Sequence, residues 1–476
     1  MLTFACAGCG TTLPVAESHR PPFKCPAAQE GDDIDHVLRR TDTPPAAFPH
    51  EGDANPFIRY REFLAAHALA IESGMSDASF VELVRDLDRA IAGVAGTGFA
   101  ATPFAPWPAL AAKLGCGSGE IWVKDETLNV GGSHKARHLM GVMLYLLVDA
   151  RRPGIGGTEG RSPLAISSCG NAALAAAIVG RATGWPLDVF VPSSASDAIL
   201  ERLAQLEAAV HVCARTPGVH GDPCQAAFRL AVAQGAVPFC CQGSDNGLTI
   251  DGGKTLAWEM IAEARRPSRR QWETTRIDAM FLQIGGGALA SSIIQGFGDA
   301  LIAGAIDRAP RFYTVQTVGA YPLKRAYDTL AERILERVPL VIDQGFSPAS
   351  DRERAELMMQ HPPIIDEELG YARAHRSAFM RPWEKLPRSI AHGILDDETY
   401  DWAAVVEGML KTGGWPIVVN EDRLVDANVF ARELTGLSVD HTGSAGLAGL
   451  MKAVGIDPRL AFERVAVVFS GSDHLA

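Results

Sequence analysis

Lys135 is the residue of this chain best placed for covalent chemistry. It lies in the run Lys124-Asp-Glu-Thr-Leu-Asn129-Val-Gly-Gly-Ser133-His134-Lys135-Ala-Arg137-His138, where the polar turn Asn129 to Ser133 leads into a long apolar stretch, Leu139 to Val148. Burial at such a junction disfavours an ammonium ion and makes the neutral amine, a nucleophile toward carbonyls, accessible. The same pattern also suits an ordinary solvated helix start. Three other segments bear on the choice. In Leu282-Gln-Ile-Gly285-Gly286-Gly287-Ala288-Leu289, the residues Ile277 to Ile284 read as a buried strand and Ala288 to Gly296 as a helix. Glycines at a strand-to-helix turn let backbone N–H groups approach an anion at the positive end of a helix dipole, or simply allow a tight turn. Ala165-Ile-Ser-Ser168-Cys169-Gly170-Asn171 precedes a helix of small residues, Ala172 to Gly180, with Asn171 either an N-cap or a side chain free to meet a ligand. Val465 to Phe469 is an apolar strand ending in Ser470-Gly471, where a hydroxyl can meet a ring nitrogen or close a turn.

Two nucleotide-binding readings fit less well. A dinucleotide fingerprint would put Ala290 at its third glycine, and the Gly247 to Thr255 stretch is one residue too long for a P-loop and lacks a leading apolar strand.

Taken in order, the four segments resemble the fold-type-II pyridoxal phosphate enzymes, the group that includes threonine synthase, serine/threonine dehydratases and the tryptophan synthase β subunit. The family's Asn-Pro-Thr-Gly-Ser-Phe-Lys-x-Arg-Gly run is similar to Asn129-Val-Gly-Gly132-Ser133-His134-Lys135-Ala-Arg137-His138. Its Ser-x-Gly-Asn loop is similar to Ser168-Cys169-Gly170-Asn171, and its glycine-rich phosphate loop to Gly285, Gly286, Gly287 and Ala288. Asp251-Gly-Gly-Lys-Thr255 and Thr442-Gly-Ser-Ala-Gly-Leu-Ala-Gly449 add flanking echoes, and the likeness runs from about Thr102 onward.

The resemblance implies pyridoxal phosphate as cofactor and a small amino acid as substrate. Lys135 would form the Schiff base and transfer the α-proton. His134, Asn171, Gly285, Gly286, Gly287, Ala288 and Ser470 would bind the cofactor, with Asn171 at the ring oxygen and Ser470 at the pyridine nitrogen. Ser133, Ser168, Cys169 and Gly170 would bind substrate. A hydroxyl leaves the pyridine nitrogen less protonated than an Asp would, which favours expulsion of a β or γ leaving group over transamination. The implied activity is a lyase of threonine synthase or ammonia-lyase character. β-Replacement is the alternative reaction, and a non-catalytic cofactor-binding regulator is the alternative of another class. Val130 and Gly131 stand where the family has Pro-Thr, and His134 replaces Phe, so the substrate is not named by the motif. A homodimer is implied as well.

The elements that must position these residues follow from pattern. The chain has 476 residues, 47% of them hydrophobic, which is enough for more than one domain. Short apolar runs at Leu164 to Ser167, Leu187 to Val191, Val210 to Cys213, Val237 to Cys240, Ala279 to Ile284 and Phe312 to Gln316 alternate with helical stretches. That alternation predicts an α/β fold: two open, mostly parallel twisted sheets with helices on both faces. We expect a catalytic region over 57–476, with a smaller subdomain at about 136–245 inserted in a larger one, and a Pro- and Asp-rich linker over 41–56. Ser347 to Arg388 reads as polar and irregular, a cover for the site or a surface loop.

Residues 1–40 form a separate Cys-rich, zinc-ribbon-like segment. Cys6-Ala-Gly-Cys9 is a knuckle that can turn two thiolates toward one ion and Cys25 follows, but Ala28 stands where a second Cys-x2-Cys would end; the segment reads either as a Cys3His zinc site with His36 or His19 as fourth ligand, or as a ribbon that has lost its metal, or as cysteines that merely pack. With nine cysteines and no basic, apolar leader, the chain is expected to stay reduced and cytoplasmic. A net charge of −12 without basic runs argues against nucleic acid or an anionic membrane as partner, and no stretch is apolar enough to span a bilayer.

Overall fold

The computed structural model describes residues 1–18, 20–152, 161–215, 221–265 and 276–472. Two sheets organise the chain. The larger runs in the order β12-β11-β10-β13-β5-β4, where β4 is Phe104–Pro106, β5 Glu120–Asp125, β10 Ala279–Gln283, β11 Arg311–Thr317, β12 Pro416–Val419 and β13 Arg464–Phe469. All neighbours are parallel except β4, which pairs antiparallel with β5 at the edge. The smaller sheet, β8-β7-β6-β9, is wholly parallel; here β6 is Leu164–Ser167, β7 Leu187–Pro192, β8 Ala209–Cys213 and β9 Val237–Pro238. β10 is buried at every position and reads Ala-Met-Phe-Leu-Gln, the near-continuous apolar run of a strand covered on both faces.

The register of the larger sheet explains how distant segments meet. β10, β13 and β5 are consecutive neighbours, with Phe281 opposite Val467 and Phe469 opposite Asp125. Their carboxyl ends therefore open side by side, roughly 5 Å apart from strand to strand. The glycine turn, Ser470 and the lysine loop leave from these three ends. Open α/β sheets bind ligands at that edge.

The lysine loop is fixed from below by a buried ionic network. Arg137, fully buried, donates from Nε to Glu126 Oε2 at 2.7 Å and from Nη1 to Glu259 Oε1 at 2.7 Å. Lys124, also fully buried, donates to Glu259 and to the Thr102 carbonyl. Two cations face two carboxylates, so the cluster is neutral; removing one member would strand a buried charge, a loss of about 3–5 kcal/mol. Asn129 Nδ2 ties Glu126 to the Ser133 carbonyl. Close packing of the Lys135–Asp149 and Thr249–Ala264 helices needs Gly141 and Gly252, because a Cβ on Gly141 would stand 2.7 Å from the Gly252 Cα.

Two expectations need correction. The Ser347 to Arg388 segment is largely helical, with helices Asp351–Met359, Pro362–Ala374 and Arg376–Phe379. Its charged residues pair with neighbours: Arg333 and Arg337 bond Glu368 at 2.8 Å, and Arg373 bonds Glu407 at 2.6 Å. Polarity there marks ion pairs, not irregular backbone. The Val237 to Cys240 run keeps only Val237–Pro238 as strand: Phe239 N–H still bonds the Ala165 carbonyl at 2.8 Å, and the backbone bends away at Cys240.

The N-terminal segment is a three-stranded antiparallel sheet, β2-β1-β3, built from β1 Thr3–Cys6, β2 Thr12–Pro14 and β3 Leu38–Arg40. It docks through backbone bonds: Asp35 N–H to the Arg373 carbonyl at 2.7 Å, Arg376 N–H to that of Asp33 at 2.8 Å, and Gly247 N–H to that of Phe23 at 2.9 Å. Among the described residues no helix is long and apolar enough to cross a membrane.

Candidate active site and metal cluster

Lys135 opens the Lys135–Asp149 helix and is half-buried. The turn before it needs glycine, since Gly131 and Gly132 have φ of 65° and 69°. The Gly471 N–H donates to the Gly132 carbonyl at 3.2 Å, so the end of β13 is stitched to the lysine loop. Next to that stitch, the backbone N–H of His134 donates to Ser470 Oγ at 3.0 Å, and His134 Nδ1 lies 2.5 Å from the same oxygen. Burial, aided by the charges of Lys135, His138 and Arg137, pushes the His134 imidazole well below its ordinary value, so the pair is neutral. His138, one turn along, bonds the Thr249 carbonyl through Nδ1 at 2.7 Å, and burial drives it down to about 3.

Four buried polar atoms between Asn129 and His138 have no protein partner: Asn129 Oδ1, Ser133 Oγ, His134 Nε2 and His138 Nε2. Orphans of this kind need a ligand or an explanation.

The glycine turn lies under a strap, residues 391–401. Thr399 Oγ1 donates to the Gly285 carbonyl at 2.9 Å and the Asp401 N–H donates to the Gly286 carbonyl at 3.2 Å. Gly287, with φ of 104°, caps the Ala288–Ile302 helix. Cβ atoms would not fit: one on Gly286 would be 2.9 Å from Tyr400 Cδ2, and one on Gly285 3.0 Å from the Ile394 Cα. Burial raises the carboxyls of Asp396 to about 6 and Asp401 to about 7, and the positive charge of Lys135 pulls against both shifts. Both acids thus stand against the glycine turn and feel the charge of the lysine.

The Ser168–Asn171 loop leaves the carboxyl end of β6. Asn171 is the first residue of the Asn171–Thr183 helix, whose N-cap is Gly170, and no side chain caps it. The Asn171 side chain is therefore not used as an N-cap. A Cβ on Gly131 would meet Ile178 at 3.5 Å, so this helix packs against the lysine loop. Cys169 is exposed; burial of its surroundings, then the charges of Asp396 and Asp222, push its thiol up. Ser470 and the lysine loop are thus joined directly, the Asn171–Thr183 helix packs on that loop, and the glycine turn leaves from the neighbouring strand end. The strap residues Asp396, Thr399, Tyr400 and Asp401 escaped the sequence reading; the acidic run Asp396-Asp-Glu-Thr399 ahead of an apolar helix was the available signal.

The metal candidates gather elsewhere. One ligand atom each from Cys6, Cys9, Cys25 and His36 all lie within 4.8 Å of one another. Cys9 Sγ is 3.6 Å from Cys25 Sγ, and Cys6 Sγ is 3.4 Å from His36 Nδ1. A tetrahedral ion with metal–sulfur bonds of ~2.3 Å spaces its ligands by roughly 3.5–3.8 Å. The second ring nitrogen of His36 is held by Asp32 Oδ2 at 3.0 Å, the outer-shell partner that metal-bound histidines use. Burial opposes the Cys9 thiolate, yet hydrogen bonds with Thr11, Cys6 and Cys25 bring its thiol down to about 6. All nine cysteines are free thiols. His19, the other histidine considered, lies outside the described residues.

Residues 96–358 match the family described as "Pyridoxal-phosphate dependent enzyme". The chain is 24% identical to the threonine synthase of Methanosarcina acetivorans over 356 residues, covering 74% of this chain and 69% of that protein. It is 29% identical to the human L-serine dehydratase/L-threonine deaminase over 208 residues, covering 38% of this chain and 57% of that protein. In fold it is similar to the diaminopropionate ammonia lyase of Escherichia coli, with a TM-score of 0.55, 17% identity and coverage of 83% and 89% of the two chains. The processed form of threonine deaminase isoform 2 from Solanum lycopersicum gives a TM-score of 0.53 at 15% identity, covering 84% and 90%.

Proposed function

Because this chain belongs to the pyridoxal-phosphate dependent enzyme family, we propose that it is a lyase acting on a small polar amino acid or an activated ester of one, such as an O-phospho ester. The observation that carries this reading is the meeting, at the neighbouring strand ends from which the Lys135 loop leaves, of a glycine turn, a neutral Ser470–His134 pair and buried polar atoms without a protein partner, Ser133 Oγ and His134 Nε2 among them. Pyridoxal phosphate, when bound, supplies the electron sink that stabilises a carbanion at the substrate Cα.

The chain's own residues divide the remaining work. The Lys135 amine binds the cofactor aldehyde and, once free, takes the proton from Cα. The Gly285, Gly286, Gly287 and Ala288 backbone would hold the phosphate. Asn171, free of capping, would hold the ring oxygen. Ser470 donates its hydroxyl to the pyridine nitrogen while accepting from His134. Neither group is anionic, so nothing holds a proton on that nitrogen, and loss of a β or γ substituent is favoured over transamination. Ser133, Ser168, Cys169 and Gly170 offer donors at the cleft mouth for the substrate carboxylate. The homologous threonine synthase and serine dehydratase names support this substrate class. We assign a homodimer in the cytoplasm to the same reading.

The test is a panel of small amino acids and their O-phospho esters, with product identification. We expect at least one hydroxy or phospho-hydroxy amino acid to release a keto acid with ammonia, or to lose phosphate. Binding of cofactor without turnover of any member would instead support a regulatory binder, and products carrying an added nucleophile would support β-replacement.

The Cys6, Cys9, Cys25 and His36 cluster is assigned to a structural zinc ion. Metal analysis of the purified protein should give close to one zinc per chain, lost in Cys9→Ser. Zinc-free, fully folded protein would contradict the assignment and leave the cofactor reading intact.

A further inference from the structure

The glycine cradle already holds an anion, and it belongs to the protein. Asp396 accepts a hydrogen bond from the Gly286 N–H. Its carboxylate presses on the turn so closely that a Cβ on Gly285 would overlap Oδ2, and one on Gly286 would lie 3.7 Å from Oδ1. The side chain has little room to retreat. The strap is pinned on one side by Gly393 N–H to Thr442 Oγ1 at 3.0 Å, and on the other by Thr399 and Asp401 to the glycine turn. Between the pins, the Asp397 carbonyl accepts from Trp383 N–H at 2.9 Å, and Glu398 pairs with Arg376 at 2.6 Å.

We propose that Asp396 competes with the cofactor's phosphate for the glycine cradle, weakening cofactor binding and making it depend on pH. This rests on the cofactor reading above. A phosphate dianion brought to the same backbone donors meets a carboxylate a few ångströms away. Either the strap must lift or the carboxyl must take up a proton, and both oppose binding. The groups that face Asp396 set how readily it protonates. Lys135 favours the anion; Asp222, Asp397 and Tyr400 oppose it or add acidity nearby, the Cys169 thiol lies within reach of its charge, and Arg215 partly neutralises Asp397 at 3.5 Å.

The sign follows from Asp396 titrating near 6 in the cofactor-free protein. Above that value the carboxylate repels phosphate; below it the neutral acid does not, so its opposition fades as pH falls. The cofactor's own phosphate ionises in the same range, but equally for any variant, so the ratio of two proteins' affinities isolates Asp396.

The experiment is a titration of cofactor-stripped wild type and Asp396→Asn with pyridoxal phosphate, followed by absorbance, at about pH 8 and about pH 5.5. Phosphate-free pyridoxal is titrated in parallel. Asp396→Asn should bind pyridoxal phosphate at least ~10-fold more tightly at the higher pH, with the advantage shrinking toward parity at the lower. Pyridoxal should gain little. Equal or weaker phosphate-cofactor binding by Asp396→Asn at the higher pH would overturn the proposal, as would an equal gain for pyridoxal. Failure of both proteins to bind pyridoxal phosphate would instead overturn the cofactor reading itself.

Discussion

Lys135→Ala should lose turnover by at least ~10⁴-fold, the scale expected when one group is both the covalent attachment point and the proton acceptor. The fold should survive. Lys135 opens its helix half-buried, whereas the buried network that anchors this helix runs through Arg137, Glu126, Lys124 and Glu259. The variant should therefore unfold within a degree or two of wild type. It should still take up pyridoxal phosphate, since the cradle and Ser470 remain, but without the absorbance of a lysine-bound cofactor. Steady-state rates, a melting curve and a spectrum check the three statements separately. Wild-type turnover in Lys135→Ala would end the assignment of the catalytic residue.

Gly286→Asp should weaken pyridoxal phosphate binding by at least ~100-fold, about 3 kcal/mol at ~1.4 kcal/mol per decade. Steric and electrostatic effects act in the same direction here. The new Cβ would sit 2.9 Å from Tyr400 Cδ2, forcing the ring or the strap to shift. Its carboxylate would join Asp396 beside the backbone donors that a phosphate requires. The expected change is opposite in sign to that of Asp396→Asn, so the two variants bracket the cradle. The titration used for Asp396→Asn measures it, and a melting curve of the cofactor-free variant separates loss of binding from loss of fold. Unchanged affinity would show that the phosphate is seated elsewhere.

The parts of the site that were legible in the sequence are those with local signatures. A glycine run after an apolar strand, a polar turn before a lysine, and a Ser-Gly at a strand end are each set by backbone needs within a few residues. β6, β7, β10, β11 and β13 were readable because both faces are covered and their sequences are nearly continuous apolar runs. What joins these parts was not readable. The adjacency of β10, β13 and β5 depends on a strand order that brings residues 125, 285 and 470 together across the whole chain, and no local pattern encodes it.

Asp396 shows the same limit from the other side. Its neighbours in sequence, Asp397 and Glu398, look like a solvated acidic run. Only the pinning of Thr399 and Asp401 to the glycine turn brings that run into the cleft. The Ser347 to Arg388 segment misled for a related reason. Its charges pair across to Arg333, Arg337 and Glu407, contacts 31 to 35 residues away, so their helical backbone was hidden by polarity. The metal cluster was the converse case. Cys6 and Cys9 announce themselves by spacing, while His36 needed β3 to bring it back beside β1.

The most direct test of the whole account is chemical labelling of the wild-type protein. Borohydride reduction of the pyridoxal phosphate-loaded enzyme, followed by proteolysis and mass spectrometry, should place a single phosphopyridoxyl group on the peptide bearing Lys135. Label on Lys254, which pairs with Asp299 at 3.1 Å in the Gly-Lys-Thr stretch, or on any lysine other than Lys135, would contradict it, as would no label at all.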